Sequence, residues 1–168
     1  MAVDTDENPV TPFTRETQGF SYTFTPPPNF KVSNKPLKTH LDEVNFDSQS
    51  TKGYQYGITV DPVRLQKLRQ FGTPEEVAAK IVTAEVNRDG VYEVTLVRDP
   101  IEDDDGAYVI EYISDGKRGK KRFVTRTIVN NGRLYVLTVQ SKEEDFTEQT
   151  RKEVYNTIET FKVIGNKA

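Results

Sequence analysis

Pro26, Pro27 and Pro28 stand in a row in the stretch GFSYTFTPPPNF, directly after aromatic residues at alternate positions, Phe20, Tyr22 and Phe24. Alternation of that kind marks a half-buried strand. Three prolines fix φ and remove three backbone donors, so neither a helix nor a sheet ladder runs through them. The strand must stop there, and the stretch reads as the opening of a compact domain that mixes strands and helices.

Before it, residues 1–18 are acidic, contain Pro and Thr and lack apolar periodicity, which predicts a mobile N-terminal tail. A single domain is then expected over 19–164. Beyond the prolines, Phe30 and Val32 suggest a second strand, Leu41 to Phe46 a third and Tyr54 to Val60 a fourth, with Tyr54, Tyr56, Ile58 and Val60 on one face. VRLQKLRQF has room for one or two helical turns. In GTPEEVAAKIVTAEVNRDG the helix signals converge: Thr73 as N-cap, Pro74 at the first helical position and Glu76 completing a capping box. The apolar stripe Val77, Ala78, Ile81, Val82 and Ala84 makes that helix amphipathic.

Four strands in hairpin order follow, Val91 to Arg98, Ala107 to Ser114, Arg122 to Asn130 and Arg133 to Ser141. Asn131-Gly132 between the last two predicts a type I′ turn, which needs positive φ twice. Ser141 and Glu144 suggest a second capping box, and Phe146, Thr150, Val154, Ile158 and Phe161 trace one face of a closing helix. Val109 and Ile113 alternate with Tyr108, Ile110 and Tyr112, so the sheet is expected to be covered on both sides. These readings predict an α+β fold, an α-β-α sandwich with a central antiparallel sheet flanked by helices.

A chain of 168 residues can bury about 70% of the surface its unfolded form exposes, enough for one core without staples. With 23 Lys and Arg against 26 Asp and Glu, the net charge of -3 argues against a nucleic-acid partner. The absence of cysteine excludes thiol catalysis, disulfides and thiolate zinc sites. No apolar run approaches the ~20 residues of a membrane-spanning helix.

Two charged loops stand out. Glu102, Asp103, Asp104 and Asp105 gather hard oxygens suited to weak calcium binding, although the spacing of an EF-hand is missing and a solvated turn also accounts for them. Lys117, Arg118, Lys120, Lys121 and Arg122 form a local positive pole around two glycines and are the candidate partner-docking residues. Successive hairpin turns alternate between sheet ends, so the two loops are expected at opposite ends, making the domain electrically bipolar. His40 is the only histidine. A hydrolase using it with Asp42 or Glu43 is the catalytic alternative, but no G-x-S-x-G marks a nucleophile.

GFSYTFTPPPNFKV, FGTPEEVAAKIV, AYVIEYIS, RFVTRTIVNNGRLYVLTVQSKEEDF and TIETFKV, in this order and spacing, resemble the PsbP family over about Gly19 to Val163. The resemblance implies an α-β-α sandwich and residence in the chloroplast thylakoid lumen after loss of a transit peptide. It also implies a non-enzymatic role on a photosynthetic complex, foremost photosystem II, as an extrinsic subunit supporting oxygen evolution through calcium and chloride retention, or as an assembly factor. Such a protein is peripheral to the membrane, a monomer when free, and holds no tight cofactor beyond weak calcium. Phe30 and Phe146 stand where many family members carry tryptophan, and the chain between Phe46 and the first helix is short for the plant photosystem II subunit; both features resemble a paralogue or an algal variant. The same sandwich occurs in the Mog1 regulator of a small GTPase, which leaves a cytosolic or nuclear partner-binding module as the alternative within binding proteins.

Overall fold

The computed structural model describes residues 11–34 and 39–164. Among the described residues, two sheets and two α-helices build the domain. The chain opens with β1 (Phe13–Glu16), β2 (Ser21–Phe24), β3 (Phe30–Asn34), β4 (Asp42–Ser48) and β5 (Gln55–Pro62), then makes a single 3₁₀ turn at Leu68–Gln70 before α1 (Pro74–Val86). It continues through β6 (Val91–Leu96), β7 (Ile101–Glu102), β8 (Tyr108–Gly116), β9 (Gly119–Asn130), β10 (Arg133–Lys142), α2 (Glu148–Ile158) and β11 (Lys162–Val163). The large sheet runs β3-β4-β5-β10-β9-β8-β6, with β7 also on β8, and every pairing is antiparallel. A small sheet, β1-β2-β11, joins the two ends of the described chain.

Local chemistry sets the element boundaries. Thr73 accepts from the Glu76 amide while Glu76 returns a bond to the Thr73 amide, so α1 begins where the capping box predicts. Asn131 and Gly132 take φ of 49° and 73°, as a type I′ turn requires. The proline stretch ends β2, and Asn29 at φ 66° then redirects the chain into β3.

Each face of the large sheet has its own core. On one face β2, α2 and Phe161 pack on β4, β5, β9 and β10, burying Tyr22, Phe24, Phe46, Tyr56, Ile58, Tyr135 and Leu137. On the other, α1 lies over β6 and β8, and Ala78 and Leu68 meet Tyr108, Ile110, Tyr112 and Phe123. Val109 belongs to the first core and Tyr108, Ile110 and Tyr112 to the second, as alternation predicts. On α1, Ala78 is buried with Val77 and Ile81 packed beside it, but Ala84 is exposed and the buried position of the last turn is Glu85.

Two expectations are corrected. The tail predicted through Gln18 includes β1, whose Phe13–Glu16 pairs with Ser21–Phe24; Phe13 also packs edge-on against Phe46 at 5.1 Å. Residues 1–10 of that expectation lie outside the described residues. The closing helix is not capped by Ser141 and Glu144: Ser141 is still in β10, Glu143–Asp145 forms a 3₁₀ turn, and Thr147 is the N-cap, accepting from the Thr150 amide.

The cores are rich in tyrosine, and burial above all pushes the hydroxyls of Tyr22, Tyr54, Tyr56 and Tyr112 up from their ordinary value of 10.0. A raised folded-state value favours the neutral phenol, so this contribution to stability is complete below about pH 10 and declines as pH rises further. Urea midpoints measured between about pH 8 and 12 are expected to fall steeply above about pH 10; a flat profile there overturns the assignment of these phenols to the core.

Candidate docking face

The basic turn is built by close backbone approach. β8 and β9 pair down to Gly116 opposite Gly119, leaving Lys117 and Arg118 at the tip. A Cβ at Gly116 would meet the Gly90 carbonyl oxygen at 2.3 Å, and the Lys117 amide donates to that oxygen at 2.8 Å, so the turn is fastened to the end of α1. Gly119 takes φ of 96°, a conformation glycine adopts without strain. Lys117, Arg118 and Lys120 are exposed and Lys121 is half-buried. Among the described residues none of these four forms an ion pair. Lys117, Arg118 and Lys121, together with Arg88, rim a cleft of about 540 Å³ that also holds Asp89 and the buried Glu85, whose carboxylate accepts from Ser114 Oγ at 2.8 Å and pairs with Arg88 at 3.1 Å.

Arg122 does not belong to this turn. It shares a strand face with Val124, Arg126 and Ile128, and that face looks into the core. Its side chain is 12% exposed, forks onto Glu143 at 2.7 and 2.8 Å, bonds Glu111 and lies over the Phe146 ring at 4.8 Å. Hydrogen bonding to Glu143 leads the causes that push the Arg122 guanidinium up. Glu111 is fully buried and also accepts from Arg151 Nη1 at 2.5 Å and from the Tyr155 hydroxyl at 2.6 Å. Burial, followed by that bond, pushes the Tyr155 phenol up to about 12, so it remains a donor. Composition alone marks Arg122 as one more loop cation. The alternation of RFVTRTIV, which sets Arg122 in line with Val124 and Ile128, is the signal that separates it from the turn.

The acidic loop lies at the other end of β8, as hairpin order predicts, but its carboxylates do not converge on a common centre. Glu102 pairs with Arg69 at 2.6 Å. Asp103 and Asp105 take Arg126 Nε and Nη2, each at 2.9 Å, and Asp105 also takes Lys162 Nζ at 2.9 Å. The other oxygen of Asp103 accepts from the amides of Asp105 and Ala107, closing the turn. Asp104 is exposed. The Lys162 hydrogen bond leads the causes that hold the Asp105 carboxyl below its usual range. Among the described residues no group of three or more His, Asp or Glu side chains is placed to hold a metal ion. The two loops lie at opposite ends, as expected, but the polarity is one-sided: acidic charge is met by Arg69, Arg126 and Lys162, while the cations of the turn form no ion pair among the described residues.

His40 Nδ1 lies 2.7 Å from Asp61 Oδ1, not against Asp42 or Glu43. Asp42 instead accepts from Tyr22 at 2.6 Å and Arg15 at 3.1 Å. No hydroxyl is hydrogen-bonded to His40 among the described residues, so no acyl-transfer arrangement forms around it.

The antiparallel sheet with helices on both faces places the protein in the α+β class. The family model for PsbP matches residues 10–163, and the chain belongs to the PsbP family. It is 29% identical over 137 residues to PsbP domain-containing protein 2, chloroplastic, of Arabidopsis thaliana; the match takes in 78% of this chain and 57% of that protein, so the chain spans little more than half its relative's length. In fold it matches the solution structure of cyanobacterial PsbP (CyanoP) from Synechocystis sp. PCC 6803 with a TM-score of 0.74, at 14% identity and over 98% of each chain.

Proposed function

We propose that this protein is a non-catalytic subunit or assembly partner of a photosynthetic complex, photosystem II first, docking peripherally on its face in the thylakoid lumen. Family membership and the chloroplastic relative support the setting. The observation that carries the docking reading is the turn at Lys117, Arg118, Lys120 and Lys121, four cations without ion-pair partners among the described residues at one end of the domain. Such a patch speeds and orients association with an acidic surface and is sensitive to ionic strength. The free protein acts as a monomer, and support of oxygen evolution follows from the docked state.

Purified protein is added to salt-washed thylakoid membranes and to photosystem II particles across an ionic-strength series. Reversal of all four cations to Glu is expected to weaken binding at low salt by about tenfold or more and to flatten its salt dependence. Unchanged binding by the variant overturns docking through this turn. Recovery of oxygen evolution at low calcium and chloride identifies a resident subunit; binding without recovery identifies an assembly factor.

A further inference from the structure

Arg98, in the bend after β6, and Arg151, on α2, are both set on the ring of Tyr155, with guanidinium carbons 5.6 and 5.2 Å from its centroid. The ring and Arg151 are held from beneath. Glu111, with 0% of its side chain exposed, accepts the Tyr155 hydroxyl on one oxygen, and Arg151 Nη1 together with Arg122 Nη1 on the other. One buried carboxylate thus serves two guanidiniums, and Glu143 serves Arg122 alone. Arg98 is exposed and forms no ion pair among the described residues; Arg151 directs only Nη1 inward, and its side chain is 26% exposed. The nearby Asp99 and Glu148 pair with neither group among the described residues.

A guanidinium lying over an aromatic face keeps N–H groups at its edge available for a planar acceptor, and a carboxylate fits that fork in two-point fashion. A fixed anchor lowers the ordering cost of capture. Lys120 is exposed on the same strand face two residues from Arg122, whose own charge is met by Glu111 and Glu143, so a cation of the basic turn lies on the sheet face that carries Arg98 and Arg151. A lone anion uses one of these two places, whereas an extended acidic segment uses both.

We propose that Arg98 and Arg151, seated on Tyr155, form a carboxylate receptor that captures an Asp or Glu side chain from an acidic segment of the docked protein partner. The receptor rests on the docking reading and supplies its specificity: the turn attracts, and the stacked pair reads planar carboxylate geometry.

The test is an NMR titration of the full chain, following arginine Nε–Hε signals, with acetyl-tetra-aspartate amide as probe and with acetyl-tetra-asparagine amide and inorganic phosphate as controls. The signals of Arg98 and Arg151 are expected to shift saturably with the acidic peptide and not with the neutral one. Arg98→Ala, at an exposed position outside the core, is expected to weaken capture about fivefold to tenfold, and Arg98→Lys is expected not to restore it, because an ammonium lacks the planar fork. Unmoved Arg98 and Arg151 signals, full rescue by lysine, or equal capture of phosphate each overturns the receptor. The four-cation turn variant separates the two readings. If it binds membranes as wild type does while Arg98→Ala still weakens peptide capture, docking by the turn fails and the receptor stands.

Discussion

Arg126→Met is expected to lower the unfolding free energy by about 3 kcal/mol, read as a fall in urea midpoint by far-UV circular dichroism at neutral pH. The guanidinium is 3% exposed and spends all of its directions: Nε on Asp103, Nη2 on Asp105 and Nη1 on the Phe161 carbonyl oxygen at 2.6 Å. Methionine fills much of the volume but leaves a buried carbonyl without its donor and two carboxylates without their cation. Asp103 and Asp105 are partly exposed and regain water, which keeps the expected cost at the lower end of the range for breaking a buried pair. A loss below about 1 kcal/mol overturns the description of Arg126 as the clamp between the acidic loop and the chain after α2. The clamp also has an acid limb. Asp105 titrates below its ordinary value of 3.8 when folded, so its contribution is present above that value and is lost as pH falls through the folded one.

Phe161→Ala is expected to cost about 3 to 5 kcal/mol, the larger of the two effects. The ring is fully buried and lies 5.6 Å from Tyr22, 6.4 Å from Phe24 and 6.5 Å from Tyr135, so it is the point at which the small sheet, the large sheet and the end of α2 share one aromatic cluster. Truncation removes the edge-on ring contacts together with the transfer energy of the side chain, and the cavity is walled by rings that cannot easily collapse. Its backbone carbonyl remains to accept from Arg126, so the two substitutions remove different interactions at one residue. Residues this close are expected to couple, with the double variant departing from the sum of the singles by more than about 0.5 kcal/mol. Phe161→Leu serves as a control for shape. A cost under about 1 kcal/mol for Phe161→Ala contradicts its place at the centre of the core.

What the sequence makes legible is what local physics decides. Thr73 and Glu76 cap α1 because their bonds lie within one turn of chain, and Asn131-Gly132 turns because its φ values are set residue by residue. Alternation predicts the large sheet and the face of each side chain from Tyr54 to Val60. The missed elements take their strand character from a pairing partner rather than from a pattern of their own. FTRE becomes β1 only because β2 lies beside it, and Lys162 and Val163 become β11 only because Tyr22 and Thr23 offer an edge. The charged loops fail in an instructive way. Counting charges groups Arg122 with its lysine neighbours and groups four carboxylates into a cation site, whereas pairing geometry turns Arg122 to Glu111 and Glu143 and hands the acidic loop to Arg69, Arg126 and Lys162. Glu111 sits in the apolar run YVIEYI and carries no local mark of its network, because Arg122, Arg151 and Tyr155 reach it from two other elements.

The pairing of β2 with β11 sets an order of events on a growing chain. Tyr22 emerges early in synthesis, yet its strand partner Val163 and its ring neighbour Phe161 are among the last described residues to leave the ribosome. Until then β2 offers an open edge, and the aromatic cluster around Tyr22 and Phe24 lacks one wall. Vectorial synthesis, or threading through a translocation pore from the N-terminal end, therefore leaves the chain incompletely closed until its final segment is delivered. Delivery of the segment around Phe161 and Val163 completes the small sheet and the aromatic cluster together.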